Sequence, residues 1–219
     1  MKKVHKVIQF GEDVEGYAVP VLNEREIRAS AGIMFLFLLT ALMLILFKQD
    51  FLPVKYVIVV FLTDFIIRIF VSPRFSPLLI IGRLIVSRQV PEYVGAPPKK
   101  FAWTIGLALA GLMFFLLVVL NSYSVITSVT CFICLLFLFF ESAFGICLGC
   151  LFYGLFYKDG PQYCAGEVCE VRKRQAIQNT SWVQVLVVGG SVVFVLLAFV
   201  FFNDYFSVAP KNLKEIIRF

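Results

Sequence analysis

VITSVTCFICLLFLFFESAFGICLGCLFYGLFY, Val125 to Tyr157, holds one charged residue, Glu141, in 33 positions. As one straight helix it would measure about 50 Å at ~1.5 Å per residue. A bilayer hydrocarbon core is only about 30 Å thick. The segment must therefore tilt strongly, protrude or break. Gly145 and Gly149 are its weak points, because glycine lowers helix preference.

The rest of the chain matches that reading. It has 219 residues, 60% of them apolar, with a mean hydropathy of +0.91. Soluble domains run at about 45–50% apolar. Further runs cover Ala29–Phe47, Val54–Val71, Phe101–Leu120 and Trp182–Phe202. Long apolar runs with few charges read as membrane-spanning helices. The expectation is an all-α polytopic membrane bundle of about five transmembrane helices plus one interfacial helix. No apolar targeting segment is expected ahead of the first span, since residues 1–28 are polar. Asn23 is placed to cap that span's helix, with Glu26 reaching back to it.

Between the second and third runs lies LLIIGRLIVSR, Leu78 to Arg88. It is too short to cross, and Arg83 and Arg88 punctuate it, so it is the expected interfacial helix. The stretch PEYVGAPPKK, Pro91 to Lys100, carries three prolines and is expected to be irregular.

Lys and Arg counts set orientation. With the N-terminus inside, the inner segments hold 14 bases and the outer ones 5, with Arg68 in the membrane. The organisation is then a cytoplasmic polar leader (1–28) and a four-span core with a Cys-x-x-Cys pair at its inner end (29–157). A cytoplasmic cysteine-containing loop (158–181), a fifth span (182–203) and an exterior tail (204–219) follow. The net charge of +6 then reflects topology and lipid headgroups, with no motif for nucleic acid.

Arg74-Phe-Ser-Pro77, the run APPKKFA from Ala96 to Ala102, and Glu141-x-x-x-Gly-x-Cys-Leu-Gly-Cys150 occur in that order. With Asp64 and Arg68 just ahead of them, the chain resembles a bacterial membrane family catalogued as domain of unknown function 4395, over roughly residues 20–157. The resemblance implies a four-span core and location in a bacterial inner membrane. It directs attention to Cys147 and Cys150 and supplies no activity. The fifth span and the loop with Cys164 and Cys169 go beyond the family pattern.

Cys147 and Cys150 stand at i and i+3, about 4.5 Å apart along a helix, within reach of a disulfide. A break at Gly145 would put Cys147 in the first turn of a new helix, where free N–H groups favour thiolate. Several readings stay open. The pair is a candidate catalytic centre for thiol-redox or persulfide transfer at the cytoplasmic face. Cys147, Cys150, Cys164 and Cys169 together could close a zinc or copper(I) site. The pair could also be packing or a structural disulfide, and the protein a scaffold for a thioredoxin-like or sulfurtransferase partner. Cys131 and Cys134 read as packing. On a continuous helix Cys134 shares a face with Glu141 while Cys147 lies opposite, about 20 Å further along.

Asp64, Arg68 and Glu141 are the expected intramembrane polar core. Each would cost about 3 kcal/mol or more if charged and unpaired at mid-depth. Asp64 and Arg68 are four apart and can pair, and Glu141 is expected near Arg68 or protonated. Arg68, with Arg74 at the inner mouth, would suit an anion. His5 is the sole histidine, so a hydrolase triad within the membrane is not expected.

Overall fold

Asn23 starts the first helix where the sequence marks it. Its Oδ1 accepts from the Arg25 amide at 3.2 Å, and its side-chain amide donates to Glu26 Oε1 at 3.0 Å, meeting donors that a helix start leaves open. A computed structural model describes residues 10–14, 17, 19–148 and 180–212. Helix α1 (Glu24–Lys48) begins five residues ahead of the apolar run, so it carries Glu24, Arg25, Glu26 and Arg28 into the bundle. Helix α2 (Leu52–Ile66) continues through a π-helical turn, Ile67–Val71. A short turn at Pro73–Phe75 leads into α3 (Pro77–Val86), capped by Ser76.

Helix α3, the expected interfacial helix, buries Leu78, Leu79, Ile80, Gly82 and Arg83 against the bundle and leaves Leu84 and Ile85 exposed. A Cβ on Gly82 would fall 2.6 Å from the Glu26 carbonyl oxygen. Glycine there lets the α3 backbone close onto α1.

Strand β1 (Val21–Asn23) pairs antiparallel with β2 (Tyr93–Gly95), Leu22 opposite Val94. The irregular stretch expected around the three prolines is therefore partly ordered. Strand β2 leads directly into α4 (Ala96–Met113), with proline in its first turn. Proline is tolerated there because that N–H has no helical acceptor anyway. As a result α4 starts at Ala96, not Phe101, and Lys99 enters the bundle. It continues through a π turn, Phe114–Val119.

After β3 (Ser122–Tyr123), a Ser124–Thr127 capping box opens α5 (Val125–Phe139), which ends in a third π turn, Phe140–Phe144. There the long apolar run breaks. Gly145 takes a left-handed φ of 66°. Its amide donates to the Glu141 carbonyl and the Ile146 amide to the Phe140 carbonyl, both at 3.1 Å, a glycine-dependent helix stop. Helical backbone resumes at Leu148. Gly149, Cys150, Cys164, Cys169 and most of the 158–181 loop lie outside the described residues.

Helix α6 (Trp182–Ser207) follows, and β4 (Lys211–Asn212) runs parallel to β3. Among the described residues, four helical stretches are long and apolar enough to cross a membrane: Glu24–Lys48, Ala96–Val119, Val125–Phe144 and Trp182–Ser207. The α2 segment adds a fifth leg that carries Lys55, Asp64 and Arg68. The protein is an all-α membrane bundle. Its core joins Met34 and Leu38 of α1 with Ile58, Phe61 and Phe65 of α2 and Trp103 and Met113 of α4.

Charges on α2 bind this bundle together. Arg68 Nε lies 2.6 Å from Asp64 Oδ2. Asp64 Oδ1 accepts from Ser76 Oγ at 2.7 Å and from the Leu78 amide at 3.0 Å. Arg68 Nη2 reaches Ser30 Oγ of α1 at 3.3 Å and Met34 Sδ at 3.8 Å. The pair thus ties α2 to the start of α3 and to α1. At the other end of the molecule, Lys55 Nζ donates to Asn121 Oδ1 at 2.7 Å and to the Phe206 and Val208 carbonyls at 3.0 and 2.8 Å. A cation suits the carbonyl end of α6.

Two measurements check these constraints. Asp64→Ala strands a buried guanidinium and should cost roughly 3–5 kcal/mol, read as a lowered unfolding midpoint in detergent. The double change Asp64→Leu with Arg68→Met should lose less than the single one. At Gly145 a Cβ would lie 2.0 Å from Arg28 Nη2, and a left-handed residue bearing a side chain costs about 1–2 kcal/mol. Gly145→Val should therefore lower the midpoint, and adding Arg28→Ala should recover only the part due to the clash.

Candidate functional site

Glu141, expected near Arg68 or protonated, shares a cavity wall with Arg68 and has Lys99 as its ion-pair partner. Asp64 already satisfies Arg68. The early start of α4 sets Lys99 in that helix's first turn, level with the end of α5. Lys99 Nζ contacts Glu141 Oε1 and lies 2.8 Å from Glu24 Oε2. Glu24 Oε1 is 3.5 Å from Arg28 Nε, and Arg28 Nη2 is 3.8 Å from Glu92 Oε2. Arg25 Nη2 holds Glu92 Oε1 at 2.7 Å. The result is a chain of alternating signs running from half-exposed Glu92 to Glu141 beside the core. Its three cations and three carboxylates balance. Arg83 and Glu26, at 3.1 Å, form a further buried pair beside it.

Next to Glu141 is a cavity of about 110 Å³ bordered by α1, α2, α4, α5 and the turn after α5. Arg68, Trp103, Glu141 and Cys147 line it, as do Cys134 and Cys131. Cys131 and Cys134 are free thiols, the first buried and the second half-buried. Rising from Glu141 back to Cys131 is ten residues, about 15 Å along α5, so the cavity has a polar end and a deep apolar shaft. The Arg68 guanidinium carbon sits 5.0 Å from the Trp103 ring centre and 5.3 Å from that of Phe65, a favourable placement for a cation on aromatic faces.

All three described cysteines therefore share one cavity. A continuous helix would have put Cys147 on the face opposite Cys134. The left-handed turn at Gly145 ends that register, so the 100° step of the helix stops predicting direction there. Cys147, half-buried, follows the turn and precedes Leu148, where helix resumes. Arg68 and Glu141 both lie in π-helical turns, features that recur at functional sites.

The remaining expected site residues do not gather here. Arg74 is not on the cavity wall; its amide donates to Ser72 Oγ at 3.3 Å and its carbonyl accepts from Gln184 Nε2 at 2.8 Å. The Arg68 charge is matched by Asp64, which leaves no paired guanidinia for an anion. Cys150, Cys164 and Cys169 lie outside the described residues, and with them the four-thiolate metal set. Among the described residues no group of three or more His, Cys, Asp or Glu is placed to hold a metal.

Lys99, Glu24 and Arg28 were not singled out from the sequence, although Glu24 and Arg28 stand four apart as a helical pair would. Lys99 was hidden by two prolines that suggest a loop and in fact begin a helix.

Comparison with known proteins adds one finding. The family model for a domain of unknown function, DUF4395, matches residues 22–158. No curated protein and no solved structure matches the chain. The matched region takes in the helices α1 to α5 and Cys147, well over half of the sequence. The chain belongs to the DUF4395 family.

Proposed function

We propose that the protein performs thiol–disulfide or sulfur exchange through Cys147, with Cys150 as its resolving partner. One observation carries this reading: the chain breaks at Gly145 and sets Cys147 on the wall of a cavity that also holds Glu141 and Arg68. A reactive thiol needs a route for its proton and relief from pure hydrocarbon. Glu141, anchored by Lys99, is the ionisable group available to take that proton.

In disulfide exchange the Cys147 thiolate attacks a partner disulfide, releasing one partner thiol and forming a mixed disulfide. Cys150 then attacks Cys147 sulfur. The partner leaves as a dithiol, two electrons richer, and the Cys147–Cys150 pair is left oxidised. In persulfide transfer the outer sulfur of a donor moves to Cys147 and the donor leaves as a thiol, with no net oxidation. A thioredoxin-like or sulfurtransferase protein suits either step.

We further propose that the site faces the cytoplasm in a bacterial inner membrane, N-terminus in and C-terminus out, a reading supported by the 14-to-5 distribution of bases in the sequence. Binding of zinc or copper by Cys147, Cys150, Cys164 and Cys169 is the alternative reading, and metal content of the purified protein separates the two.

The test uses the full chain in detergent, reduced and then offered glutathione disulfide. Cys150→Ser should accumulate a mixed disulfide at Cys147, seen by mass spectrometry, and Cys147→Ser should abolish it. Cys131→Ala and Cys134→Ala should leave the rate within a small factor of wild type. Glu141→Gln should slow capture roughly 10²-fold, the lower end for loss of a general base. Unchanged exchange in Cys147→Ser would refute the proposal.

A further inference from the structure

Arg25 and Arg28 line a second recess, of about 370 Å³, that opens where the start of α1 meets the α3–β2 connection and the π turn after α5. We infer that this recess binds a phosphate-class oxyanion between the two guanidinia. That chemistry has two sources, the headgroup of an anionic lipid and soluble phosphate. The site does not depend on the thiol reading above.

Charge selects the ligand. Among the described residues, the charged side chains of the wall are Arg25, Arg28 and Glu92. Glu92 alone would repel an anion, but Arg25 Nη2 holds it at 2.7 Å and Arg28 Nη2 lies 3.8 Å away. Two guanidinia against one carboxylate leave this wall one positive charge. The balancing carboxylates lie deeper: Glu24, whose side chain is fully buried, and Glu141 both meet Lys99. The ion-pair chain is therefore neutral but polarised, with its cationic end at the opening. A phosphate diester, with its single negative charge, offsets that excess.

Bonding capacity points the same way. A guanidinium presents five N–H donors in a planar fork that fits phosphate. Arg28 meets Glu24 at 3.5 Å and Glu92 at 3.8 Å, both beyond the ~2.7–2.9 Å of a charge-assisted hydrogen bond. The oxygens of a tetrahedral anion can close to that distance where the fixed carboxylates do not. Arg25 is already oriented, its Nη1 donating to Gln89 Oε1 at 3.1 Å, and Arg28 packs over Gly145. Both side chains are set before a ligand arrives, which lowers the cost of binding. Gln89 and Ser142 add an amide and a hydroxyl to the wall.

Depth fits a headgroup. The apolar run of α1 starts at Ala29, itself on the recess wall. The arginines therefore stand at the edge of the hydrocarbon, where headgroup phosphates lie, and basic pockets between helices at that level hold anionic headgroups. Leu84 and Ile85 of the neighbouring α3 are exposed, apolar surface for an acyl chain. Both arginine side chains are 34% exposed, so salt should weaken the grip.

The test uses the full chain in neutral detergent, with short-chain phosphatidylglycerol as one probe and inorganic phosphate as the other. Binding is read as a saturable rise in the unfolding midpoint, against diacylglycerol of the same chains and against chloride of matched ionic strength. Arg25→Gln should weaken binding about tenfold, the scale of one charge-assisted hydrogen bond. Gln89→Glu adds a carboxylate to the wall, leaves both arginines in place and should also weaken it. Glu92→Gln removes the competing carboxylate and should tighten binding several-fold, an effect that damage to the fold would not give. Lys48→Gln, at the other end of α1, should change nothing. A response to phosphatidylglycerol alone assigns the lipid headgroup. A response to inorganic phosphate with the same dependence on the variants assigns the soluble ion. No response to either probe, equal loss in Lys48→Gln and Arg25→Gln, or weaker binding in Glu92→Gln would overturn the site.

Discussion

A guanidinium at membrane depth has to be matched, and the Asp64–Arg68 pair shows how this bundle meets that condition. An unpaired charge there costs about 3 kcal/mol or more. Asp64 takes three donors: Arg68 Nε, Ser76 Oγ and the Leu78 amide. The last two come from the start of α3, so α3 must lie where it does for the carboxylate to be satisfied. That position presses Gly82 against α1 and delivers Arg83 to Glu26. One ion pair thereby sets three helices and the cavity wall beside them.

The polar end of the cavity follows from a second matched set. Glu24, Lys99 and Glu141 come from three different helices and meet at one ammonium. Two carboxylates around one lysine would be unbalanced without Arg28, whose guanidinium approaches Glu24 and packs over Gly145. The residue that permits the helix to stop thus also makes room for the cation that completes the network. Thiol placement, charge balance and backbone geometry meet at Gly145.

Much of this could be read from the sequence where the cause was local. The membrane bundle follows from run lengths. The Asn23 cap, the Asp64–Arg68 pair and the break at Gly145 follow from spacing and from glycine. What could not be read depended on where separate helices meet. Lys99 looked like a cytoplasmic loop residue because prolines stand before it, and its burial follows from β1–β2 pairing, which fixes the start of α4. The shared cavity of Cys131, Cys134 and Cys147 was hidden because helical-wheel geometry assumes an unbroken helix. Arg74 looked like a partner of Arg68 in sequence, yet the turn at Pro73–Phe75 takes it off the cavity wall.

Helix α6 lies beyond the family match, and none of its most apolar stretch is buried. Its anchors sit near its ends, at Gln184 and at the Phe206 and Val208 carbonyls held by Lys55. The middle turns are mostly exposed, and their described ring contact with the bundle is Phe199 against Tyr56 at 5.7 Å. Lys55 is different, since it belongs to the conventional part of the bundle but takes two of its acceptors from the appended helix. A relative that ended before α6 would have to replace those carbonyls or give up that lysine. The boundary between core and addition therefore runs through a single ammonium group.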